Sequence, residues 1–308
     1  MLLRRSVRKC ASVFADHRHA ARVRRHRASL PPLSDGHRAV VETLRRERIA
    51  TLPLAELGIP ATERFLPQAE AVAERLETLS PENYENEYGV GFRSAVPVGP
   101  SVIAAEHPEL FLWGLDDKML DLAEHVIGLP VAYHGVTVRK DLVDHQQRGS
   151  RKWHQDAEDR RVLRVLVYLS DVLDEGDGPF EYLPPDRGLD ARSFAGSVTA
   201  GMMTDDEVRR VVPPEHWRRV LGPRHTVILA TTDRLFHRGR PPQRERKVLS
   251  LYYTSRQPTN TPLCKQYSFQ TGMPHLRTEL TQRQRACLWD YERLLPPATI
   301  TESAESVG

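Results

Sequence analysis

Cysteine is scarce in this 308-residue chain: only Cys10, Cys264 and Cys287 occur, and none stands in a Cys-x-x-Cys pair. Widely spaced cysteines in odd number argue against a disulfide framework and against a cysteine zinc site, and they favour a reducing, cytoplasmic location. Long apolar runs are also missing, since no stretch approaches the ~20 apolar residues of a membrane-spanning helix. The sequence therefore predicts a globular protein without a transmembrane segment.

An excess of charge is missing as well. The chain has 44 basic and 41 acidic residues, and so small an imbalance gives no indication of a nucleic-acid partner. The positive charge is concentrated in residues 1–33, where nine arginines and lysines accompany the single acid Asp16. Such a basic N-terminal arm is typical of a solvated helix lying on the domain, of an organelle-targeting or flexible arm, or of a phosphate-binding segment. The last is the weakest interpretation, because no aromatic stacking platform accompanies the charge.

The chain lacks a regular alternation of strands and helices, which argues against a parallel α/β sheet. Apolar spacing and end signals predict helices over 35–46 (Ser34 as N-cap), 61–79 and 104–127 (ended by Gly128), with one short strand over 49–54. From residue 131 onward, β-branched and aromatic runs predict strands over 131–142, 162–172, 179–183, 225–231 and 247–254. The prediction is a mainly β fold with flanking helices, built as an antiparallel jelly roll.

Three parts follow from these patterns. They are the basic arm 1–33, a domain 34–256 with a helical start (34–130) and a jelly-roll core (131–256), and a C-terminal extension 257–308. In the extension, 257–272 is predicted to be a loop and 280–295 to be its one helix, beginning near Thr281.

The stretch Trp153-His-Gln-Asp156 carries a possible pair of metal ligands. Residues i and i+2 of an extended chain project to one side, so His154 and Asp156 can address one point. His237, at the end of a predicted strand, is the candidate for a third ligand. Two histidines and one carboxylate leave one face of an octahedral ion open, as in non-heme Fe(II) oxygenases. A structural zinc site would instead be closed by protein ligands.

An oxygenase of this kind that uses 2-oxoglutarate also needs a cation for the remote carboxylate of that co-substrate, and arginine meets a carboxylate bidentately. Arg246 opens a predicted strand nine positions after His237 and is the preferred candidate. Arg238, Arg240 and Arg244 lie nearer, in a predicted Gly/Pro-containing loop where a side chain is poorly fixed. Arg244 remains the alternative.

Taken in order, Trp153-His-Gln-Asp156, Asp177-Gly-Pro-Phe-Glu-Tyr-Leu-Pro184, Leu235-Phe-His237 and Arg246-Lys-Val-Leu-Ser250 resemble the phytanoyl-CoA dioxygenase family of Fe(II)/2-oxoglutarate oxygenases. The resemblance implies a double-stranded β-helix with helices on one side, with His154, Asp156 and His237 as iron ligands and Arg246 as the 2-oxoglutarate residue. It implies hydroxylation of a C–H bond with O2, releasing succinate and CO2.

The chain departs from the family pattern at Pro184-Pro-Asp-Arg-Gly188, where relatives continue with Gly-Ser-His, and in a slightly short interval between His237 and Arg246. Halogenating relatives replace the carboxylate ligand by a small residue, so Asp156 argues against that chemistry.

The expected substrate is a small carboxylic, acyl or secondary-metabolite molecule. His134 and His145 are candidates for contacts with it, and Trp153 and Tyr168 are expected in the core. A basic cluster near the proposed ligands predicts either a solvated face or an electropositive mouth for an acidic substrate; it comprises Arg148, Arg151, Lys152, Arg160, Arg161 and Arg164. Two alternatives stay open: a catalytically silent jelly-roll protein that binds metal or ligand, and an oxygenase that reaches a macromolecule through the basic arm. Nothing in the sequence indicates an oligomeric state.

Overall fold

The computed structural model describes residues 14, 16–80, 94–185, 189, 201–266 and 280–289. Its first part is helical: residues 16–26 form α1, Asp35–Glu47 form α2 and Thr62–Thr78 form α3. Helices α2 and α3 lie where the sequence predicts them. Ser34 is the N-cap of α2, because its hydroxyl accepts a hydrogen bond from the backbone N–H of His37 at 3.2 Å. Capping of this kind satisfies one of the free N–H groups at a helix start.

The stretch 104–127, predicted to be one helix, is broken into three. These are α4 (Pro100–Glu106), α5 (Pro108–Trp113) and α6 (Asp117–Ile127). Pro108 causes the first break, because a residue that precedes proline is kept out of the helical region, and His107 has φ −134° and ψ 47°. The end of α6 is where the sequence predicts it, at Gly128 with φ 76°.

Two antiparallel sheets follow from the β-branched runs. The larger has the strand order β1-β7-β4-β9-β3-β2 and the smaller the order β6-β5-β8. The strands are β1 (Ile49–Pro53), β2 (Ala95–Pro97), β3 (Val131–Asp141), β4 (Leu163–Tyr168), β5 (Phe180–Tyr182), β6 (Arg218–Val220), β7 (Thr226–Thr231), β8 (His237–Gly239) and β9 (Arg246–Ser255). A short helix, α7 (Asp205–Arg209), precedes β6 in the chain.

The chain alternates between the two sheets in the manner of a jelly roll. It leaves β3 in the large sheet, pairs with β8 of the small sheet at His154, and returns to the large sheet as β4. It then forms β5 and β6 in the small sheet, β7 in the large one, β8 in the small one and β9 in the large one. This alternation is the double-stranded β-helix that the sequence predicts. Two strands from the predicted helical start, β1 and β2, extend the large sheet by pairing with β7 and β3.

Side-chain alternation divides the large sheet into two faces. Its outer face packs on the helices: Val165 and Leu251 share one buried cluster with Phe65 of α3 and Trp113 of α5. Its inner face points into the barrel, where Tyr168, Ile228 and Val248 pack on Phe180 of the small sheet, and where polar side chains also lie. The metal-site candidates are among those polar residues. Both Trp153 and Tyr168 are fully buried, as expected.

The C-terminal extension differs from its prediction. Within the described residues it holds two short helices, α8 (Thr261–Gln266) inside the predicted loop and α9 (Gln282–Cys287). Thr281 caps α9 as predicted, but Leu288 is already extended and bridges to Tyr133 of β3. The rest of the predicted helix, from residue 290 onward, lies outside the described residues.

The basic arm is described only from residue 14, with residue 15 omitted. Helix α1 lies on α6, with His26 2.8 Å from the Glu124 carboxylate. Residues 1–13 lie outside the described part, and the role of the arm stays a prediction. Among the helices that the structure describes, none combines the length and apolarity needed to cross a bilayer.

Candidate metal centre

The fold brings together the three residues that the sequence singles out as ligands. His154, Asp156 and His237 each offer one ligand atom, and these atoms lie within 4.8 Å of one another. Two backbone hydrogen bonds produce this proximity: His154 N–H donates to the His237 carbonyl at 3.0 Å, and His237 N–H donates to the His154 carbonyl at 2.9 Å. The two imidazole rings therefore lie side by side, with centroids 4.3 Å apart.

Backbone carbonyls fix the orientation of both imidazoles. Nδ1 of His154 lies 2.8 Å from the Lys152 carbonyl oxygen, and Nδ1 of His237 lies 2.9 Å from that of Leu235. Each Nδ1 therefore carries the proton and donates, which leaves the lone pair on Nε2 for a metal. Burial, followed by the neighbouring His154, lowers the pKa of His237 to about 3. The His237 ring is thus neutral near pH 7, as a metal ligand has to be.

Asp156 is held by an arginine that the sequence analysis assigns to a basic cluster. Nε of Arg164 donates to Oδ2 of Asp156 at 2.8 Å, while Oδ1 lies 3.6 Å from Nε2 of His154. Burial alone would raise the pKa of the Asp156 carboxyl, but Arg164 holds that pKa below its ordinary value. One carboxylate oxygen is therefore engaged by Arg164, and the other is available as a single ligand atom.

Arg164 belongs to the interior because of its place in β4. Leu163, Val165 and Val167 point to the helices, so the alternating Arg164 points into the barrel. Its Nη2 also donates to Oε1 of Glu158 at 2.8 Å. This alternation was readable in the sequence, but the ion pair with Asp156 was not.

Three further members of the basic cluster are paired with carboxylates. Arg151 pairs with Asp144, Arg160 with Asp16 and Arg161 with Asp233. With Arg164 on Asp156, four of its six members are neutralised by carboxylates. These ion pairs leave less positive charge for an electropositive mouth, and the buried Arg151 and the inward-pointing Arg164 do not belong to a solvated face.

Arg246 lies in the barrel interior beside the candidate ligands. It is buried at the start of β9, and a Cβ on Gly239 would come within 3.2 Å of its guanidinium. Gly239 and His237 share the inner face of β8 and are ~7 Å apart along the strand, at ~3.3 Å per residue.

The competing arginines lie elsewhere. Arg244 is 55% exposed and pairs with Asp174 and Asp177. Arg238 is not in a loop but in β8, on the face opposite His237, where it is buried over the rings of Trp153 and Trp217. Both Arg238 and Arg240 pair with the buried Glu181.

Asp141, which the sequence analysis does not mention, holds Arg246 in place. Its Oδ2 accepts from Nε of Arg246 at 3.0 Å and its Oδ1 from Nε of Arg139 at 2.9 Å, while Arg246 also donates to the Gly178 carbonyl. Burial would raise the pKa of Asp141, but Arg139 and Arg246 lower it to about 2. Asp141 and Arg246 are 105 positions apart and meet because β3 pairs with β9, so no local sequence pattern predicts the contact.

The donor set fits a divalent iron ion. Two imidazoles that each present Nε2 and one carboxylate, all from one side of a buried site, match the facial triad of non-heme Fe(II) enzymes and leave the opposite coordination positions free. Of the two histidines expected as possible substrate contacts, His134 is buried on the inner face of β3, whereas His145 lies in the loop after β3 with φ 53°.

No protein-family model and no curated protein matches the chain. It is similar to the solved structure of HygX from Streptomyces hygroscopicus with nickel, 2-oxoglutarate and hygromycin B, at 16% identity and a TM-score of 0.47, covering 71% of this chain and 87% of HygX. It is also similar to EctD from S. alaskensis with 2-oxoglutarate and 5-hydroxyectoine, at 20% identity and a TM-score of 0.44, covering 70% of this chain and 74% of EctD. A third similar structure is the non-heme alpha ketoglutarate dependent epimerase SnoN from nogalamycin biosynthesis, at 17% identity and a TM-score of 0.45, covering 71% of this chain and 83% of SnoN. Likeness at this level carries no argument about function, which has to come from the site.

Proposed function

We propose that the chain is an Fe(II)- and 2-oxoglutarate-dependent dioxygenase of the phytanoyl-CoA dioxygenase type, which hydroxylates an unactivated C–H bond of a small organic substrate. The observation that carries the proposal is the convergence of one ligand atom each from His154, Asp156 and His237 within 4.8 Å. A buried arginine in the same interior, Arg246, supplies the cation that a dicarboxylate co-substrate needs.

When held by these residues, Fe(II) would supply the activation of O2, coupled to decarboxylation of 2-oxoglutarate to succinate and CO2. The residues of the chain do the positioning. The Lys152 and Leu235 carbonyls hold the Nδ1–H groups, so that Nε2 of His154 and His237 faces the metal position. Arg164 keeps Asp156 ionised and turned toward the same point.

Apolar side chains around the centre restrict water. Phe180 stacks on the His237 ring with centroids 5.3 Å apart, and its cluster on the inner face includes Ile228 and Val248. Charged groups interact more strongly in such a site than in water, because the surrounding dielectric constant is low. Arg246, at the end of this apolar stretch, binds the remote carboxylate of 2-oxoglutarate in our proposal.

The direct test is anaerobic. Fe(II) and then 2-oxoglutarate are added to the purified protein, and the weak visible charge-transfer band of the chelate is recorded. We expect the band in the unmodified protein, its loss in Asp156→Ala and a weaker affinity for 2-oxoglutarate in Arg246→Ala. Arg244→Ala is the matched control, since Arg244 is an arginine two positions away with its side chain on the surface.

Either of two outcomes would contradict the assignment. A metal-binding protein without the band would not be a 2-oxoglutarate enzyme. If Arg246→Ala and Arg244→Ala behaved alike, Arg246 would not be the residue that binds 2-oxoglutarate.

One observation favours a second candidate, a jelly-roll protein that binds metal without turnover. The fork of Arg246 is already engaged by Asp141 and by the Gly178 carbonyl, so a co-substrate must share the remaining N–H groups or displace one of these partners. Such a protein would bind metal in calorimetry but form no succinate from 2-oxoglutarate, even at high concentration.

A further inference from the structure

A row of three side chains crosses the inner face of the large sheet next to the metal centre. His134 of β3 stacks on Tyr252 of β9 with ring centroids 4.2 Å apart and planes at 5°, and the guanidinium of Arg164 lies 4.2 Å from the centre of the Tyr252 ring. Arg164 joins this row to Asp156, and Glu158 lies beside it. At the other end, Trp289 lies against His134 with centroids 5.1 Å apart.

Three polar atoms of this neighbourhood have no hydrogen-bond partner among the described residues. They are Nδ1 of His134, Oε2 of Glu158 and Nε1 of Trp289, and the three residues are 0%, 1% and 9% exposed. Buried polar atoms in folded proteins are nearly always paired, because an unpaired one forfeits its hydration without compensation. Three such atoms around one stacked row therefore indicate a missing partner.

The contact made by Nε2 of His134 shows which of its two ring nitrogens donates and which accepts. The hydroxyl of Thr254 donates to the Ser255 carbonyl at 2.9 Å, so its oxygen accepts from Nε2–H of His134 at 2.8 Å. Burial, and then Arg164, lowers the pKa of His134 to about 3, which keeps the ring neutral. Nδ1 of His134 is thus a free acceptor.

Of the other two unpaired atoms, one is an acceptor and one is a donor. Oε1 of Glu158 accepts from Arg164, and Oε2 is a second free acceptor. Trp289 offers an indole N–H, which is a donor only. The chain pairs its other indoles: Nε1 of Trp113, Trp153 and Trp217 each donates at 3.0 Å, to Thr62, Asp205 and Val212 respectively.

We propose that His134, Glu158 and Trp289 form a subsite for two neighbouring hydroxyl groups of a neutral, polyol-like substrate. The inference rests on the proposed function in taking the ligand to be the substrate. A hydroxyl has one O–H donor, so two neighbouring hydroxyls supply the two donors that the two acceptors need, and their lone pairs can accept from the indole N–H. A carboxylate would face two acceptors without a donor for them, an ammonium group would have no acceptor for the Trp289 N–H, and a hydrocarbon would leave all three atoms unpaired.

Trp289 provides a readout that needs neither iron nor turnover. In a protein with ¹⁵N-labelled indoles, the signal of Trp289 is assigned by its loss in Trp289→Phe, and the other three indoles are internal controls. The probe is glycerol, compared with butyrate and n-butylammonium at the same concentrations. Each titration is run on the Zn(II)-loaded protein, which is diamagnetic, and on the metal-free protein.

We expect glycerol to shift the Trp289 signal saturably while the three controls stay unchanged. Glu158→Gln and His134→Phe should weaken glycerol binding about tenfold or more, because each removes one buried acceptor. Unchanged positions of the three control indoles show that each variant is folded. His134→Phe also keeps an aromatic ring for the stack on Tyr252.

The proposal is overturned if Trp289 does not respond to glycerol, since water then satisfies these atoms, or if butyrate or n-butylammonium shifts its signal equally well. A saturable response to glycerol without a charge-transfer band for Fe(II) and 2-oxoglutarate would keep the subsite and remove the proposed reaction. The reverse result would keep the reaction and remove the subsite.

Discussion

Replacing Arg164 by methionine tests how the metal centre is held together. Arg164 makes hydrogen bonds of 2.8 Å to both Asp156 and Glu158, whose side chains are less than a tenth exposed. Methionine keeps an apolar stem of similar length against Tyr252, but it leaves two buried carboxylates without a cation. Removing one partner of a buried ion pair typically costs ~3–5 kcal/mol. Because Arg164 is itself 20% exposed, we expect the lower end of that range, about 3 kcal/mol.

The assay is urea unfolding of the metal-free protein, combined with calorimetric titration of the metal. Arg160→Met is the matched control, since Arg160 pairs with the exposed Asp16, and a surface pair contributes ~1 kcal/mol or less. We expect the affinity for metal to fall roughly 10- to 100-fold in Arg164→Met, as for other residues that hold a metal ligand. Added metal should restore part of the lost stability, because it supplies a new cation for Asp156.

Equal free energies of unfolding for Arg164→Met and Arg160→Met, with unchanged metal affinity, would refute this reasoning. Arg164 would then not be what keeps Asp156 ionised and oriented. A loss of stability without a loss of metal affinity would assign Arg164 to folding alone.

Two further predictions concern the binding of 2-oxoglutarate by Arg246 and the pH dependence of stability. Gly239→Ala places a methyl group 3.2 Å from the Arg246 guanidinium, so the affinity for 2-oxoglutarate in the anaerobic titration should fall severalfold while metal affinity is kept; unchanged affinity would place the co-substrate elsewhere. Because burial lowers the pKa of His134 to about 3, the unfolded chain binds a proton below its own pKa of ~6.5 when the folded protein does not. The contribution of neutral His134 to the free energy of unfolding should therefore be fully present above pH 6.5 and should fall as the pH decreases, by up to ~1.4 kcal/mol per pH unit. In urea unfolding at pH 7 and pH 5, His134→Phe should lose less free energy of unfolding between the two pH values than the unmodified protein.

The parts of the site that the sequence predicts are those encoded over short distances. The pair His154 and Asp156 follows from the two-residue period of an extended chain. The expectation that His237 ends a strand was wrong, because β7 ends at Thr231 and His237 opens the separate short strand β8. The same period would have placed Arg164 in the interior, but charged residues in a strand usually indicate a solvated face. Arg164 is an exception to that rule, because its charge is paired with Asp156 and Glu158 in the interior.

What could not be predicted depends on pairing across the sheet or on a local conflict. Asp141 meets Arg246 only because β3 pairs with β9, and Trp289 reaches His134 only because the chain returns to β3 after α9. The break at Pro108 was visible in the sequence, yet the apolar period on both sides of it favoured one helix.

The charges of the interior suggest an order of binding, which is the last prediction. Arg139, Arg164 and Arg246 balance Asp141, Asp156 and Glu158 there. A dianion added alone would disturb this balance in a medium of low dielectric constant, whereas a divalent cation and a dianion together leave it unchanged.

We therefore expect 2-oxoglutarate to bind measurably only after metal, with no heat of binding in calorimetry on the metal-free protein. The variant Asp141→Asn, which removes one negative charge beside Arg246, should relax this requirement and allow binding of 2-oxoglutarate without metal. Tight binding of 2-oxoglutarate to the metal-free unmodified protein would show that the interior charges do not control the order. An unaltered requirement for metal in Asp141→Asn would indicate that the order depends on direct chelation alone.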